Sequence, residues 1–185
     1  MDKKAVSMVF QGINKPMESK HIEIPKLKKQ EILVKIAYNT ICTSDIHSFT
    51  GKRKEPSPSV LGHEAIGRIE KITERQVDYN KQELKKGDLI TWGIAASCGT
   101  CHYCQNRIPQ KCESLFKYGH QELNNETLFS GGFSEYIILR KGTPVFKILG
   151  DIDYRVLSPA NCATATCMGA VRLADGIKNK TVLVQ

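Results

Sequence analysis

Hydrophobic positions follow the two-residue period of β-strands over most of the 185-residue chain. Runs of β-branched or alternating residues, separated by glycine, proline and charged turns, predict strands at AVSMVF, HIEI, EILVKIAY, GRIEKI, DLITW, FSEYIIL and TPVFKIL. In EILVKIAY, Ile32, Val34 and Ile36 fall on one face, as a half-buried strand requires. Glu31, Leu33 and Lys35 fall on the other face. The polar stretch at residues 74–88 predicts a surface excursion. The pattern as a whole predicts a β-barrel or β-sandwich.

The pattern changes near the C-terminal end. Ser158 and Pro159 form a good N-cap and first-turn pair, the small residues that follow favour a helix, and Gly176 supplies a stop. The run KTVLVQ then predicts a buried strand. A helix followed by such a strand is typical of an entry into a dinucleotide-binding unit, although no glycine-rich phosphate turn follows. We therefore expect a β domain over residues 1–157. Over residues 158–185 we expect a connecting helix and the first strand of a truncated Rossmann domain.

Composition and charge narrow the classes of function. The hydrophobic fraction of 41% suffices for one core, and the charged fraction of 25% is ordinary. The net charge of +8 comes from lysines dispersed along the chain, without an aromatic-rich basic strand, so we expect no nucleic-acid partner. The N-terminus lacks the features of a signal peptide, and no apolar run approaches the roughly 20 residues of a membrane span. We expect a cytoplasmic protein with no membrane partner.

Four of the seven cysteines form a CxxCxxCx7C pattern: Cys98, Cys101, Cys104 and Cys112. Four thiolates can close a tetrahedral zinc site, and such a site is structural because it leaves no position for water or substrate. Two disulfides and a coincidence of cysteines are the alternatives. The odd number of cysteines and the absence of any sign of an oxidising compartment favour zinc.

A second set of metal-binding residue types is spread more widely. Cys42, His63 and Cys162 provide two cysteines and a histidine, the protein ligands of one kind of catalytic zinc whose fourth position stays open. Taken alone, they could equally be two small buried cysteines and a satisfied core histidine. If they do bind one zinc ion, the two sulfur atoms must lie within about 5 Å of each other, the reach of two Zn–S bonds.

Together these motifs resemble the zinc-dependent alcohol dehydrogenases of the medium-chain dehydrogenase/reductase superfamily along the whole chain. CTSDIH at residues 42–47, GHEAIG at residues 62–67 and the four-cysteine segment occur in the family's order. The resemblance implies a mainly β fold, a GroES-like β-barrel with a short zinc lobe. It also implies two zinc sites, NAD or NADP as cofactor, a small-molecule alcohol as substrate, and a homo-oligomer, dimer or tetramer. PQKC, KYGH, SGGFSEY and PANCATAT resemble a branch associated with phosphonate catabolism.

The same resemblance assigns the residues around the catalytic zinc. Cys42, His63 and Cys162 look like its ligands. Glu64, next to the histidine, is expected behind the metal or as a substitute ligand. Asp45 is expected to hold the ligand histidine in one tautomer, as carboxylate–histidine–zinc pairs do.

The resemblance also assigns the residues that handle the proton and the cofactor. Ser44 looks like the acceptor of the alcohol proton, and His47 like the group that passes it to solvent. Without the family context, a helix cap and an exposed histidine are the alternatives for these two. Thr166, one helical turn beyond Cys162, looks like the threonine beside the nicotinamide.

Two classes of function follow. The first is the catalytic domain of a zinc alcohol dehydrogenase, which oxidises an alcohol to an aldehyde or ketone with NAD(P) when a nucleotide-binding domain is present. The second is an inactive, zinc-stabilised GroES-like module that binds a partner or forms oligomers. The joint presence of the catalytic residues favours the first. Because the sequence has no phosphate-binding glycines, we expect the 185 residues alone to be inactive.

Overall fold

The computed structural model describes residues 4–183. The strands are β1 (Lys4–Phe10), β2 (Glu18–Glu23), β3 (Ile32–Thr40), β4 (Ser59–Val60), β5 (Glu64–Ile72), β6 (Leu89–Trp92), β7 (Ala95–Ala96), β8 (Phe116–Lys117), β9 (Tyr136–Leu139) and β10 (Val145–Lys147). The helices are α1 (Thr43–Phe49), α2 (His102–Gln105), α3 (Tyr154–Leu157) and α4 (Ala163–Leu173), with 3₁₀ segments at Pro109–Lys111 and Ser158–Asn161. Each predicted strand before residue 150 is present, which confirms a mainly β fold. Between residues 4 and 183, no helix has the length and apolar character needed to cross a bilayer.

Two antiparallel sheets form the body of the fold. One has five strands in the order β10-β6-β5-β3-β9, and the other has three in the order β2-β1-β4. The chain just before β9 joins them, since Met8 N–H donates to the carbonyl of Phe133 at 2.8 Å and Glu135 N–H to that of Val6 at 2.9 Å. On its other side, the carbonyl of Glu135 accepts the N–H of Ile36 from β3 at 2.9 Å. These bonds close the sheets around the core, as the barrel prediction requires.

Strand β3 contributes to two hydrophobic clusters. The main one contains Ile32 and Val34, as the alternation predicts, together with Ile69, Ile90, Trp92 and Ile137 among others. Leu33, assigned to the outer face, is also buried and packs in a second cluster with Ala5, Phe129 and Tyr136. The half-buried assignment is therefore wrong at this end of β3, because the three-stranded sheet covers its second face.

The polar segment at residues 74–88 is irregular, but it is not wholly a surface excursion. Leu84 is buried and joins the main cluster. The buried carboxylate of Asp78 accepts the backbone N–H of Gln82 at 2.8 Å and that of Lys147 at 3.3 Å. One apolar anchor and one buried acid thus fix this loop to the barrel, and neither produces a periodic signal in the sequence.

The C-terminal helix begins later than predicted. Ser158 and Pro159 lie in a 3₁₀ segment that follows α3, and α4 starts after Cys162. The strand predicted at residues 180–185 is absent from residues 180–183, and its last two residues lie outside the described part of the chain. A strand forms only beside a neighbour that shares its hydrogen bonds, and none of the described strands pairs with this segment.

Candidate metal centres

The four-cysteine lobe, residues 98–112, is a loop whose base is closed by the antiparallel pair β7 and β8. The sulfur atoms of Cys98, Cys101, Cys104 and Cys112 all lie within 4.8 Å of one another. The sulfurs of Cys98 and Cys104 are 3.9 Å apart, close to the edge of about 3.8 Å in a tetrahedron with Zn–S bonds of about 2.3 Å. These cysteines are free thiols rather than disulfide partners. The loop therefore has the dimensions of a four-thiolate metal site.

Backbone N–H groups point at two of these sulfurs. Thr100 and Cys101 donate to the sulfur of Cys98 at 3.4 and 3.3 Å, and Cys98 N–H donates to that of Cys112 at 3.3 Å. Hydrogen bonds from Thr100 and Cys101 hold the pKa of Cys98 at about 5. Burial and the neighbouring cysteines raise the pKa of Cys104 to about 11. Four thiolates so close together repel one another unless a cation sits between them, and a borderline-soft ion such as zinc fits this donor set.

A second group of donor atoms meets on the barrel. Cys42 caps the N-terminus of α1, and Cys162 immediately precedes α4. His63 immediately precedes β5, and Glu64 is the first residue of that strand. Their ligand atoms, two sulfurs, a ring nitrogen and a carboxylate oxygen, all lie within 4.8 Å of one another. We call this group the mixed cluster. The two sulfurs are thus within the separation expected for ligands of one zinc ion, and Glu64 approaches the same point.

Asp45 ties the first two parts of the mixed cluster together. Its buried carboxylate accepts the N–H of Cys42 at 2.9 Å and that of Gly62 at 3.3 Å. The same side chain lies 3.5 Å from Nδ1 of His63. This arrangement directs the other ring nitrogen, Nε2, away from the carboxylate, and Nε2 is the atom that faces the hydroxyl of Ser44 at 3.4 Å.

In the mixed cluster, the protein groups alone do not compensate the negative charges that two thiolates and the Glu64 carboxylate would carry. Burial opposes the thiolate of Cys42, but hydrogen bonds with Ser44 and His63 hold its pKa below the ordinary value. Burial, Cys42 and Glu64 raise the pKa of Cys162 to about 12. The helix predicted from Ser158 onward would include Cys162, whereas the structure places this residue just before α4. Without a cation, only one of these two sulfurs ionises readily, so the donor set fits a divalent metal that stabilises both thiolates.

Two hydroxyl groups form hydrogen bonds with Glu64 and fix its position. Thr40 Oγ1, at the end of β3, donates to a carboxylate oxygen of Glu64 at 2.8 Å. Ser158 Oγ donates to the backbone carbonyl of Glu64 at 2.7 Å and lies 3.1 Å from the Thr40 hydroxyl. Sequence reasoning treated Ser158 as a helix cap and did not single out Thr40. Neither residue belongs to a recognisable motif.

Asn161 connects the last ligand to the other strands, and sequence reasoning missed it. Its side-chain amide donates to the carbonyls of His63 and Trp92, both at 2.9 Å. The residue adjoins Cys162, so these bonds set the position of Cys162 relative to β5 and β6. The only feature of the sequence that could have pointed to Asn161 is its position next to a candidate ligand cysteine.

Three further predicted residues lie at different depths. Ser44 is half-buried in α1, with its hydroxyl on the mixed cluster. His47 is exposed in the last turn of α1, and within residues 4–183 no side-chain hydrogen bond joins it to Ser44 or His63. Thr166 lies on α4, where its hydroxyl donates to the carbonyl of Cys162 at 2.7 Å.

An open cleft of about 720 Å³ lies beside the mixed cluster. Asn161, Cys162 and Thr166 form one wall, and Pro109 and Leu115 contribute to another from the side of the four-cysteine lobe. Its lining is mostly apolar, and Asn161 and Thr166 are polar residues on the same wall as Cys162. The cleft therefore gives a small organic molecule a route to Cys162.

Comparison with known proteins places these features in context. Residues 28–149 match the family described as the alcohol dehydrogenase GroES-like domain. Alcohol dehydrogenase 1 of Caenorhabditis elegans is 30% identical over 168 residues, which cover 90% of this chain and 45% of the relative. The NAD-dependent alcohol dehydrogenase of Sulfurisphaera tokodaii is 32% identical over 93% of this chain and 48% of its own length.

Solved structures show the same likeness. The crystal structure of an alcohol dehydrogenase from Thermotoga maritima superposes with a TM-score of 0.85 and 34% identity, over 92% of this chain and 47% of the other. The likeness extends over the barrel, which agrees with the GroES-like architecture that the family resemblance implies. The chain spans about half the length of the relatives it matches.

Proposed function

We propose that this chain, which belongs to the alcohol dehydrogenase family with a GroES-like domain, is the zinc-binding catalytic part of an NAD(P)-dependent alcohol dehydrogenase. The observation that carries the proposal is the mixed cluster. Cys42, His63, Glu64 and Cys162 come from separate parts of the chain and meet at one point next to an open cleft. An inactive GroES-like module, the alternative function, would have no need to bring these four side chains together beside a cleft.

The residues of the mixed cluster would hold zinc through Cys42, His63 and Cys162, with Glu64 as an additional or replacement ligand. When bound, zinc supplies a Lewis acid that polarises the alcohol oxygen. Asp45 keeps His63 oriented, because its carboxylate faces Nδ1 and leaves Nε2 for the metal.

Proton transfer would begin at Ser44. Its hydroxyl reaches the mixed cluster from α1, and it can accept the proton of the alcohol as that proton leaves. His47 lies three residues further along α1 with an exposed ring, so it can deliver the proton to solvent. The proton would pass from Ser44 to His47 through a hydroxyl group of the cofactor or substrate, or through a water molecule.

Thr166 and the cleft would receive the nicotinamide end of NAD or NADP. The threonine stands on the cleft wall together with Cys162, which brings a cofactor bound there next to the metal ligands. Hydride transfer needs the two reacting carbons at roughly 3 to 3.5 Å, so the nicotinamide would have to bind on this wall of the cleft, beside the substrate. The second zinc, in the four-cysteine lobe, would be structural, since all four donors there are protein sulfurs.

Further parts of the proposal concern the whole protein. We propose a division into the GroES-like domain, residues 1–157, and a connection to a nucleotide-binding domain, residues 158–185. The substrate is a small alcohol, the intact protein is a dimer or tetramer, and its location is cytoplasmic. The narrower resemblance to the phosphonate-catabolism branch stays a prediction.

The proposed function is tested by joining this chain to the part of the Sulfurisphaera tokodaii relative that it does not cover. We expect the joined protein to oxidise alcohols with NAD or NADP. We expect the 185 residues alone to give no turnover, because the cleft beside Thr166 would receive only the nicotinamide end of the cofactor and the sequence has no glycine-rich turn to hold its phosphates. Activity is measured as NAD(P)H formation across primary, secondary and polyhydroxy alcohols.

The control for this test is the joined protein with Ser44 replaced by alanine. We expect its kcat to fall by roughly 10² to 10⁴, as for the loss of a positioned proton acceptor, while its zinc content stays the same. A joined protein that is folded and fully loaded with zinc but inactive on every alcohol would refute the proposed function.

A further inference from the structure

Thr40 faces Glu64 across the β3–β5 ladder because of a bulge in β3. Between Ile36 and Tyr38 the register shifts, and β3 advances by two residues while β5 advances by one. The extra residue places Thr40 opposite Glu64, whereas an unshifted ladder would place it opposite position 63. Bulges often re-aim a side chain beside a functional site. Here the bulge brings a hydroxyl group to the carboxylate of the mixed cluster.

The carboxylate of Glu64 is buried without a cationic partner from the protein. Glu64 is 5% exposed, and within residues 4–183 no lysine or arginine forms an ion pair with it. Buried charges in proteins are either paired or coordinate metals. The donors around this carboxylate are the sulfurs of Cys42 and Cys162 and the ring of His63. A metal ion shared with these donors would supply the positive charge that the carboxylate lacks.

The hydroxyl of Thr40 holds this carboxylate in one orientation. It donates to Oε2 of Glu64 at 2.8 Å and also lies 3.1 Å from the hydroxyl of Ser158. The hydrogen of the Ser158 hydroxyl goes to the backbone carbonyl of Glu64 at 2.7 Å, so the Ser158 oxygen is left as a second acceptor for Thr40. The carboxylate oxygen is the closer of the two acceptors. The hydrogen of Thr40 therefore goes to Glu64.

We propose that Thr40 is a positioning residue that holds the carboxylate of Glu64 as the fourth protein donor of the mixed cluster, and so sets the metal affinity of that site. This inference rests on the proposed function, because it needs a metal at the mixed cluster. The carboxylate has a second oxygen beside the one that Thr40 holds, so the hydrogen bond and metal binding are compatible. Groups that hydrogen-bond a metal ligand in this way contribute roughly 10- to 100-fold to metal affinity.

The test measures zinc binding to the 185-residue chain itself, without turnover. Reduced protein is equilibrated at a series of buffered free zinc concentrations, and the bound zinc is counted at each. The binding step of the mixed cluster is the one that is missing in Cys162→Ser. In Thr40→Val, which removes the hydroxyl, we expect this step to move to about tenfold higher free zinc. Thr40→Ser should restore it, because the hydroxyl returns.

Thr73→Val is the matched control. Thr73 is a half-buried threonine that follows β5, and its hydroxyl donates to the carbonyl of Glu31 at 3.2 Å rather than to a metal-binding residue. Its replacement should leave both zinc-binding steps unchanged. Thr40→Ala is made alongside Thr40→Val, and the unfolding midpoint of every variant is measured. A variant that does not fold is then recognised, and the other still gives the comparison.

A double-mutant cycle separates positioning from a purely structural role. If Thr40 acts through Glu64, its replacement by valine should add less than about twofold to the loss of zinc affinity caused by Glu64→Ala. The reason is that the group which Thr40 positions is then absent.

Two results would overturn the inference while leaving the proposed function in place. One is a Thr40→Val protein whose mixed-cluster step stays at the wild-type zinc concentration. The other is an equal loss from Thr40→Val in the wild-type and Glu64→Ala backgrounds, which would show that Thr40 supports the strand pairing rather than the carboxylate. A wild-type chain without any zinc-binding step that Cys162→Ser removes would instead contradict a metal at the mixed cluster, and the proposed function would fail together with this inference.

Discussion

Cys104→Ser is expected to remove the metal from the four-cysteine lobe and to destabilise the protein. The lobe has short helical segments and partly exposed cysteines, so its shape depends on the metal rather than on a hydrophobic core. Loss of a structural metal is among the largest effects of single substitutions, and we expect the unfolding midpoint to fall by about 10 °C or more. Calorimetry of the reduced protein, together with zinc analysis, measures both effects.

Cys167→Ser is the matched control for this variant. Cys167 is an exposed cysteine on α4 that belongs to neither group of donors, so its replacement should change neither zinc content nor the unfolding midpoint. A Cys104→Ser protein as stable as the wild type and with the same zinc content would show that the lobe does not depend on metal.

Cys162→Ser is expected to remove the metal from the mixed cluster rather than from the four-cysteine lobe. It should abolish alcohol oxidation by the joined protein, with a loss of at least about 10³-fold. The reason is that zinc, as a Lewis acid, contributes several kcal/mol to the stabilisation of the transition state. The zinc of the four-cysteine lobe should stay, since the two groups of donors share no residue. Zinc analysis should therefore show one ion lost and one kept. The assay is initial-rate NAD(P)H formation at saturating alcohol.

The same Cys167→Ser protein controls for the loss of a thiol near the cleft, because it lies on the helix that follows Cys162. It should retain full activity. If Cys162→Ser kept both zinc ions and its activity, Cys162 would not be a ligand. The mixed cluster would then have to work with Cys42, His63 and Glu64 alone.

Much of the fold could be predicted from the sequence because strands leave a local signal. The alternation in β3 and the runs at β5 and β9 reflect which side chains face the core, and that pattern survives without any knowledge of the partners. The prediction failed where burial depended on distant segments. Leu33 is covered by the second sheet, and Leu84 anchors an otherwise polar loop.

Part of the candidate site could also be predicted from the sequence, for a different reason. Cysteines 98 to 112 are close in the chain, so their spacing alone indicates a common metal. Cys42, His63 and Cys162 are far apart in sequence, and the family resemblance, rather than spacing, brought them together. Thr40 and Asn161 could not be found in this way. Their roles depend on long-range hydrogen bonds between residue types that are common everywhere on protein surfaces.

We expect the chain to hold two zinc ions in different surroundings, and X-ray absorption at the zinc edge measures the ligands of both. The measurement uses reduced, purified wild-type protein and the Cys104→Ser variant, each with its zinc content determined. We expect two zinc ions per wild-type chain, with an average of three sulfur ligands. In Cys104→Ser we expect one ion, with two sulfur ligands and lighter nitrogen or oxygen ligands. A wild-type chain with a single zinc, or a variant whose remaining zinc has four sulfur ligands, would contradict it.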